Sequence, residues 1–303
     1  MNIHHLKTIA DFHRFRELPK PGHPLISVVD VSSINYPVGG DTQHMLQDYY
    51  SIALKRIQNG KMRYGQQEYD FDEGVMFFIA PGQLFSVEPR GDENLQQSGW
   101  LLLVHPDFLW NTSLAKGIRQ YEFFDYSVNE ALFLSDKEEA IICGIFENIQ
   151  QEYHSNIDRF SQRIIISQIE TLLNYSERFY QRQFITRKIT NHKILNRLEE
   201  ILTEYFNSDQ VVTNGLPTVE HIAARLNVSP NYLSGLLKSL TGQSTQQHIH
   251  NKLIEKAKEK LSTTDLTVSE IAYELGFEHP QSFSKLFKTK TSLSPLEFRQ
   301  AFN

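Results

Sequence analysis

Ile222-Ala223-Ala224-Arg225-Leu226-Asn227-Val228-Ser229-Pro230-Asn231-Tyr232-Leu233-Ser234-Gly235-Leu236-Leu237-Lys238 has a second copy further along the chain, Ile271-Ala272-Tyr273-Glu274-Leu275-Gly276-Phe277-Glu278-His279-Pro280-Gln281-Ser282-Phe283-Ser284-Lys285-Leu286-Phe287-Lys288. Ile222 and Leu226 match Ile271 and Leu275 at an offset of 49, and Leu233, Leu236, Leu237 and Lys238 match Phe283, Leu286, Phe287 and Lys288 at an offset of 50. The slip of one residue falls where a turn absorbs it. In each copy an apolar i, i+1, i+4 set predicts a short helix with one inward face. Asn227 and Gly276 fall at the following turn, and these are the residue types that best tolerate a left-handed backbone. Ser229-Pro230 is a helix start, with a hydroxyl cap followed by proline at the first helical position. Leu233, Leu236 and Leu237 then face inward, leaving Asn231, Ser234, Gly235 and Lys238 outward. In the second copy Phe283, Leu286 and Phe287 face inward, and Gln281, Ser282, Lys285 and Lys288 face outward. Each copy therefore reads as a helix-turn-helix.

Between the copies, Ile249, Leu253, Ala257 and Leu261 repeat every four positions. They predict a helix from Ser244 to Leu261, spanning on the order of 27 Å at 1.5 Å per residue. Such a strut would hold two recognition helices about one DNA turn apart, roughly 34 Å. Ser262-Thr263-Thr264-Asp265 ends it, and Thr267 with Glu270 makes a capping box for the next helix. Two helix-turn-helix units in one chain imply a reader of double-stranded DNA at two successive stretches of major groove. Gln281 can bond adenine bidentately and Lys285 can donate to guanine, so these lead the predicted base contacts, with Ser282, Asn231 and Ser234 behind them. Lys238 and Lys288 end their helices and are assigned to phosphate.

The stretch from Thr218 to Phe302 resembles the DNA-binding domain of the AraC/XylS family of bacterial transcription regulators. The resemblance is carried by Ser229-Pro230-x-Tyr232-Leu233-Ser234, Lys238, Thr241-Gly242, Glu255-Lys256-Ala257-Lys258, Thr264-Asp265-Leu266-Thr267, Glu270-Ile271-Ala272, Gly276-Phe277, Ser282-Phe283-Ser284-Lys285-x-Phe287-Lys288 and Ser294-Pro295-x-Glu297-Phe298-Arg299. Three positions depart from the family pattern. Gly235 replaces an arginine of the first recognition helix, Leu253 replaces a basic residue of the strut, and Ser292 replaces a glycine before Ser-Pro. The resemblance implies an activator more often than a repressor, with RNA polymerase as a partner. It also implies an N-terminal cupin-like barrel followed by two helices.

The 303 residues allow two domains, and the net charge of −6 is unevenly spread. From Asn191 onward there are 12 basic and 12 acidic residues, leaving 18 and 24 before it; from Ser229 onward the balance is 9 to 7 in favour of basic. A weakly basic face on a neutral domain implies DNA affinity resting on a few lysines, with moderate salt dependence. The lone cysteine, Cys143, excludes a disulfide framework and fits a reducing compartment. Apolar runs such as Val75 to Ala80 are too short to cross a bilayer. His4, His5, Asp11, His13 and Arg14 interrupt any signal-peptide core, so the expected location is the bacterial cytoplasm, at the nucleoid.

Leu25 to Val31, Ser51 to Ile57, Val75 to Ala80, Leu84 to Glu88 and Trp100 to His105 read as strands, with turns at Asn59-Gly60, Asp72-Glu73-Gly74 and Pro81-Gly82-Gln83. Two helices follow, Asp136 to Tyr153 and Ile157 to Phe184. The fold class is α+β. Residues 1–185 form a cupin-like sensing and dimerisation domain, 186–192 a polar linker, and 193–303 an all-α domain with two helix-turn-helix motifs joined by a long helix.

Nothing in the sequence points to catalysis. A metal-binding cupin shows two histidines one residue apart on a strand with a glutamate soon after, and the histidines at 23, 44, 105 and 154 are scattered. His248 and His250 fall on a helix, where i and i+2 diverge. There is no phosphate loop or nucleophile elbow. No cofactor or metal is expected, and Cys143, within an apolar run, reads as a small buried hydrophobe. Phe77, Phe78, Phe85 and Trp100 are candidates to line an effector pocket in the barrel. Ile165, Ile169 and Leu172 make an apolar helical stripe, expected to pair with a second subunit in a homodimer. The rival readings are a regulator controlled by a protein partner, and a cupin-type enzyme fused to a DNA-binding tail.

Overall fold

The computed structural model describes residues 3–35, 42–58, 62–64, 67–69, 74–87, 96–126, 130–155, 158, 160–186 and 188–301. The chain is mixed α+β and divides into two compact units, Met1–Gln183 and Phe184–Asn303. Among the described residues, strands are confined to the first unit. Among the described residues no helix is long and apolar enough to cross a membrane.

The first unit opens with β1 (Ile3–Leu6) and α1 (Ile9–Phe15), continues with β2 (Ile26–Asp30), β3 (Gln43–Gln47), β4 (Tyr50–Gln58), β5 (Met62–Tyr64), β6 (Gln67–Tyr69), β7 (Val75–Ile79), β8 (Leu84–Val87) and β9 (Gln96–Val104), and closes with α2 (Leu114–Gly117), β10 (Leu132–Phe133), α3 (Asp136–His154) and α4 (Ser161–Thr186). One antiparallel sheet runs β10-β7-β4-β9-β2, a second runs β1-β3-β8, and β5 pairs with β6. The two larger sheets face each other. Ala53, Phe77 and Leu101 of the first share a core with Leu6 and Met45 of the second, which removes the apolar side of both from water. The predicted strands lie within a residue or so of their expected bounds, except that β9 begins earlier and β4 is longer at both ends. Of the predicted turns, Pro81-Gly82-Gln83 holds Gly82 at φ 79°. Asn59-Gly60 lies outside the described residues, as do Asp72 and Glu73.

Several short elements were not legible, β1, β3 and β10 among them. β1 pairs in parallel with β3, Ile3 opposite His44. His5 Nε2 also lies 2.8 Å from Asp48 Oδ1. β3 and β10 carry no alternating pattern of their own and owe their extension to their sheet partners.

The apolar stripe of α4 requires a correction. Ile165, Ile169 and Leu172 are 4%, 0% and 0% exposed within the single chain, so they are core and not a free subunit interface. The helix lies over the sheet: Ser176 contacts Met76 of β7 at 4.0 Å, and Tyr180 packs on Phe78. Burying three branched side chains there removes the surface that a seam on this stripe would need.

The second unit is helical: α5 (Lys188–Phe206), α6 (Gln210–Asn214), α7 (Val219–Leu226), α8 (Pro230–Thr241), α9 (Thr245–Thr263), α10 (Val268–Glu274), α11 (Pro280–Thr291) and α12 (Pro295–Gln300). The expected polar linker is helical over 188–192, the first residues of α5. Leu198, Ile222, Leu233, Leu253, Ile271 and Phe283 belong to one buried cluster, so both sequence copies and the strut share a single core.

Candidate nucleic-acid interface and cavity

Local sequence positions both pairs of helices. Thr218 caps α7 by accepting from the His221 N–H, and Ser229 caps α8 by accepting from the Tyr232 N–H at 3.2 Å. Asn227 turns the chain between them at φ 55°, and Gly276 does so between α10 and α11 at φ 80°. Thr267 and Glu270 form the expected capping box at α10, which holds the Glu270 carboxyl below its usual range through hydrogen bonds to the Thr267 backbone and hydroxyl. The strut α9 starts with another box, Ser244 with Gln247.

Leu233, Leu236 and Leu237 of α8 are fully buried, as are Phe283 and Phe287 of α11. Gln281, Ser282, Lys285 and Lys288 are exposed on α11, with Lys290 beside them. On α8 Lys238 is exposed, whereas Asn231 and Ser234 are half-buried. The Ser234 hydroxyl lies 3.2 Å from Thr245 Oγ1, which ties it to the first turn of α9.

Three of the lysines of the strut are paired, while Lys258 lies over the Phe298 ring. On α9, Lys252 and Lys256 pair with Glu255 and Glu259 at 3.2 and 2.7 Å, and Lys260 pairs with Glu274 at 2.6 Å. Among the described residues, no salt bridge engages Lys238, Lys285, Lys288 or Lys290. The nearest acid effect is on Glu297, whose carboxyl is lowered mainly by its Ser294 cap and to a smaller extent by Lys288. Three of these four lysines lie on α11 and one on α8, so the unpaired positive charge is greatest on the second of the helices that follow the turns, where a polyanion would be steered.

The sequence match at Ser294-Pro295 to Arg299 proves to be structural. Ser294 and Glu297 cap α12, and Phe298 packs on Phe287 with ring centres 5.5 Å apart. Arg299 donates to the carbonyls of Leu261 and Leu266 at 3.2 and 2.6 Å. These contacts fasten α12 to α11 and to the end of the strut. Glycine or serine at the ends of α8 and α11 completes the turns, with Gly242 at φ 73° and Ser292 at φ 64°.

In the first unit a cavity of about 70 Å³ opens between the sheets. Phe77, Phe78 and Phe85 line it. Trp100 does not: it stacks on Phe146 of α3, ring centres 6.3 Å apart and 10° from parallel. Strand alternation explains this, because Leu101 faces the cavity and its neighbour must face the helix layer. The lining also includes Arg16, Gln47, Ser51 and Lys55, which sequence patterning did not single out. Among the described residues, no group of three His, Cys, Asp or Glu could hold a metal ion. Cys143 is half-buried, not fully buried as expected. Burial, then Glu139 and Glu147, push its thiol up, so it stays protonated.

Comparison with known proteins agrees with this geometry. A family described as Helix-turn-helix domain matches residues 222–301. An uncharacterized HTH-type transcriptional regulator of Bacillus subtilis, YfiF, is 29% identical over 284 residues, covering 90% of this chain and 85% of its own length. In other curated relatives the match is short, spanning 11%, 30% and 21% of their lengths. The C-terminal domain of AraT, a response regulator from Geobacillus stearothermophilus, is 32% identical, covering 36% of this chain and 84% of that one, with a TM-score of 0.32. The DNA-binding domain of AdpA, solved in complex with a target DNA, is 27% identical, covering 35% and 91%, with a TM-score of 0.29. The chain carries an AraC-type helix-turn-helix domain at its C-terminal end, and the relatives it is similar to are HTH-type transcriptional regulators.

Proposed function

We propose that α8 and α11 are two recognition helices that read successive major grooves of one DNA site, and that the cavity of the first unit takes a small-molecule effector. The observation that carries the first part is that each of these two helices follows a left-handed turn and exposes lysine, Lys238 on α8 and Lys285, Lys288 and Lys290 on α11. The 19 residues of α9 give the connecting strut a length of about 28 Å, close to one turn of DNA. In this reading Gln281, Ser282 and Lys285 contact base edges in one groove. Asn231 and Ser234 read the other, Ser234 with the acceptor capacity that its Thr245 bond leaves. Lys238 and Lys288 contact phosphate. Gly235 presents no side chain, so the first groove is read less sharply than the second.

The aromatic lining of the cavity supports the effector reading, since small-molecule sites are concave and mostly apolar with a few polar groups. The protein would act as an activator, as a homodimer and with RNA polymerase, each by analogy with its family. The two-sheet unit would correspond to the family's cupin-like barrel. Footprinting on a selected binding site tests the reading of two grooves: protection should cover two patches about one turn apart on one face of the duplex. A single protected patch counts against it. Effector control is tested separately, by whether any small molecule that raises the melting temperature of the full chain also changes its DNA affinity.

A further inference from the structure

Tyr232 lies in the first turn of α8, where its N–H donates to the Ser229 cap, and its side chain is turned inward, only 8% exposed. Its ring meets the Phe184 ring edge-on, centroids 5.1 Å apart and planes 75° from parallel. That is a favourable arrangement for two aromatic rings, whose positive edges and negative faces attract. Phe184 is on the last turn of α4, is 3% exposed, and falls with Tyr232 in the second unit. In the second copy of the motif the same position, at the offset of 50, is Ser282, which is exposed. The two recognition helices also differ in what they offer a duplex. Asn231, Ser234 and Gly235 of α8 are half-buried, whereas their counterparts Gln281 and Lys285 of α11 are exposed. With one exposed lysine against three, α8 has less charge to draw it onto the groove. Its reading depends more on pose, because hydrogen bonds to base edges weaken steeply once they are misaligned.

We propose that Phe184 is a positioning residue for the first recognition helix. Its ring holds Tyr232, and with it the turn that carries Asn231 and Ser234, at the angle from which α8 reads its groove. This rests on the reading of α8 and α11 as two separate readers. The N-terminal residues of a recognition helix are the ones that meet base edges, so support at that end bears on specificity more than support elsewhere along the helix. Ser234 is already tied to the start of α9 through Thr245, and the Phe184 ring supplies a second hold on the same turn. Removing the ring leaves space into which Tyr232 can move, and the turn moves with it. α11 keeps its own support, the packing of Phe283 on Phe287 and of Phe287 on Phe298. Phe184 belongs to α4, so that helix sets the pose of the first reader and leaves the second alone.

The test is base preference measured position by position: every single base-pair substitution in a selected binding site is titrated with the full chain and its variants. Lys285→Ala marks the positions that α11 reads. Phe184→Ala should relax preference at the remaining positions by roughly two- to tenfold, the scale of one aromatic pair, and leave the Lys285-dependent positions unchanged. Tyr232→Ala should do the same, and the double variant should add little to either, as expected of two residues acting through one contact. If Phe184→Ala fails to fold by circular dichroism, Phe184→Leu, which keeps an apolar side chain and loses the ring edge, is read in the same way. A loss of affinity spread equally over all positions, or an unchanged preference, makes the pair a plain core contact and overturns the proposal while two readers stand. A parent whose preference is confined to the Lys285-dependent positions overturns the two-reader reading, and the proposal with it.

Discussion

The carbonyl oxygen of Val211, on α6, lies against the turn between α10 and α11, where a Cβ built on Gly276 would meet it at 2.4 Å. The same Cβ would come within 3.1 Å of Gly215. Position 276 is thus restricted twice, by its φ of 80° and by neighbouring backbone that has no flexible side chain to move aside. Gly276→Ala should cost more than the roughly 1–2 kcal/mol of a left-handed alanine alone. Urea denaturation of the full chain should show the second unit losing stability, with DNA affinity falling in parallel.

Ser292 holds at the end of α11 the left-handed backbone that Gly242 holds at the end of α8. Serine is strained there, and glycine relieves the strain at some cost in unfolded-state entropy. Ser292→Gly should therefore stabilise the protein by a net of about 0.5–1 kcal/mol. A rise of a few degrees in the melting of the second unit checks this, with DNA affinity unchanged.

Lys285→Ala should lose about 1–3 kcal/mol on the true site and relax its sequence preference. Lys238→Ala should weaken binding to all duplexes alike and reduce the salt slope by about one unit. Affinities on specific and random duplexes, measured across a salt series, separate the two roles. Equal losses on both duplexes for both variants would remove the distinction between base and phosphate contacts.

The strut carries a third test of the DNA reading. Ala257 is fully buried in the middle of α9, and Ala257→Pro should kink that helix at a cost of about 3 kcal/mol or more. Footprints should lose protection over one of the two grooves before the other. A full-length footprint would show that the two readers are not rigidly joined.

Ile169 is fully buried in the first unit, so Ile169→Asp should unfold that unit instead of producing a folded monomer. An unpaired carboxylate in an apolar core costs several kcal/mol or forces its own protonation. Circular dichroism and sedimentation together distinguish the outcomes. A folded monomer from a dimeric parent would show that the helix faces a second subunit after all.

The sequence by itself determined the reader: its helix starts at Ser229, Ser244 and Thr267, its turns at Asn227 and Gly276, and its inward faces. All of these depend on residues within a turn or so of each other, through caps, φ preferences and the 3.6-residue period, so they are legible without knowing what lies across the core. The tertiary structure decided everything that depends on which surface meets which. An apolar stripe such as Ile165, Ile169 and Leu172 is the same string whether a sheet or a subunit covers it, and only the fold lays it on the sheet. Trp100 and Leu101 are adjacent in sequence yet face opposite sides of β9, a choice made by register. Thr245 reaches Ser234 because α8 and α9 pack together. Arg16 and Lys55 come from different elements, 39 positions apart, and line one cavity only when the two sheets close over a common core. Local hydrogen bonding writes itself into sequence spacing; long-range packing does not, because its partners are chosen by the whole chain.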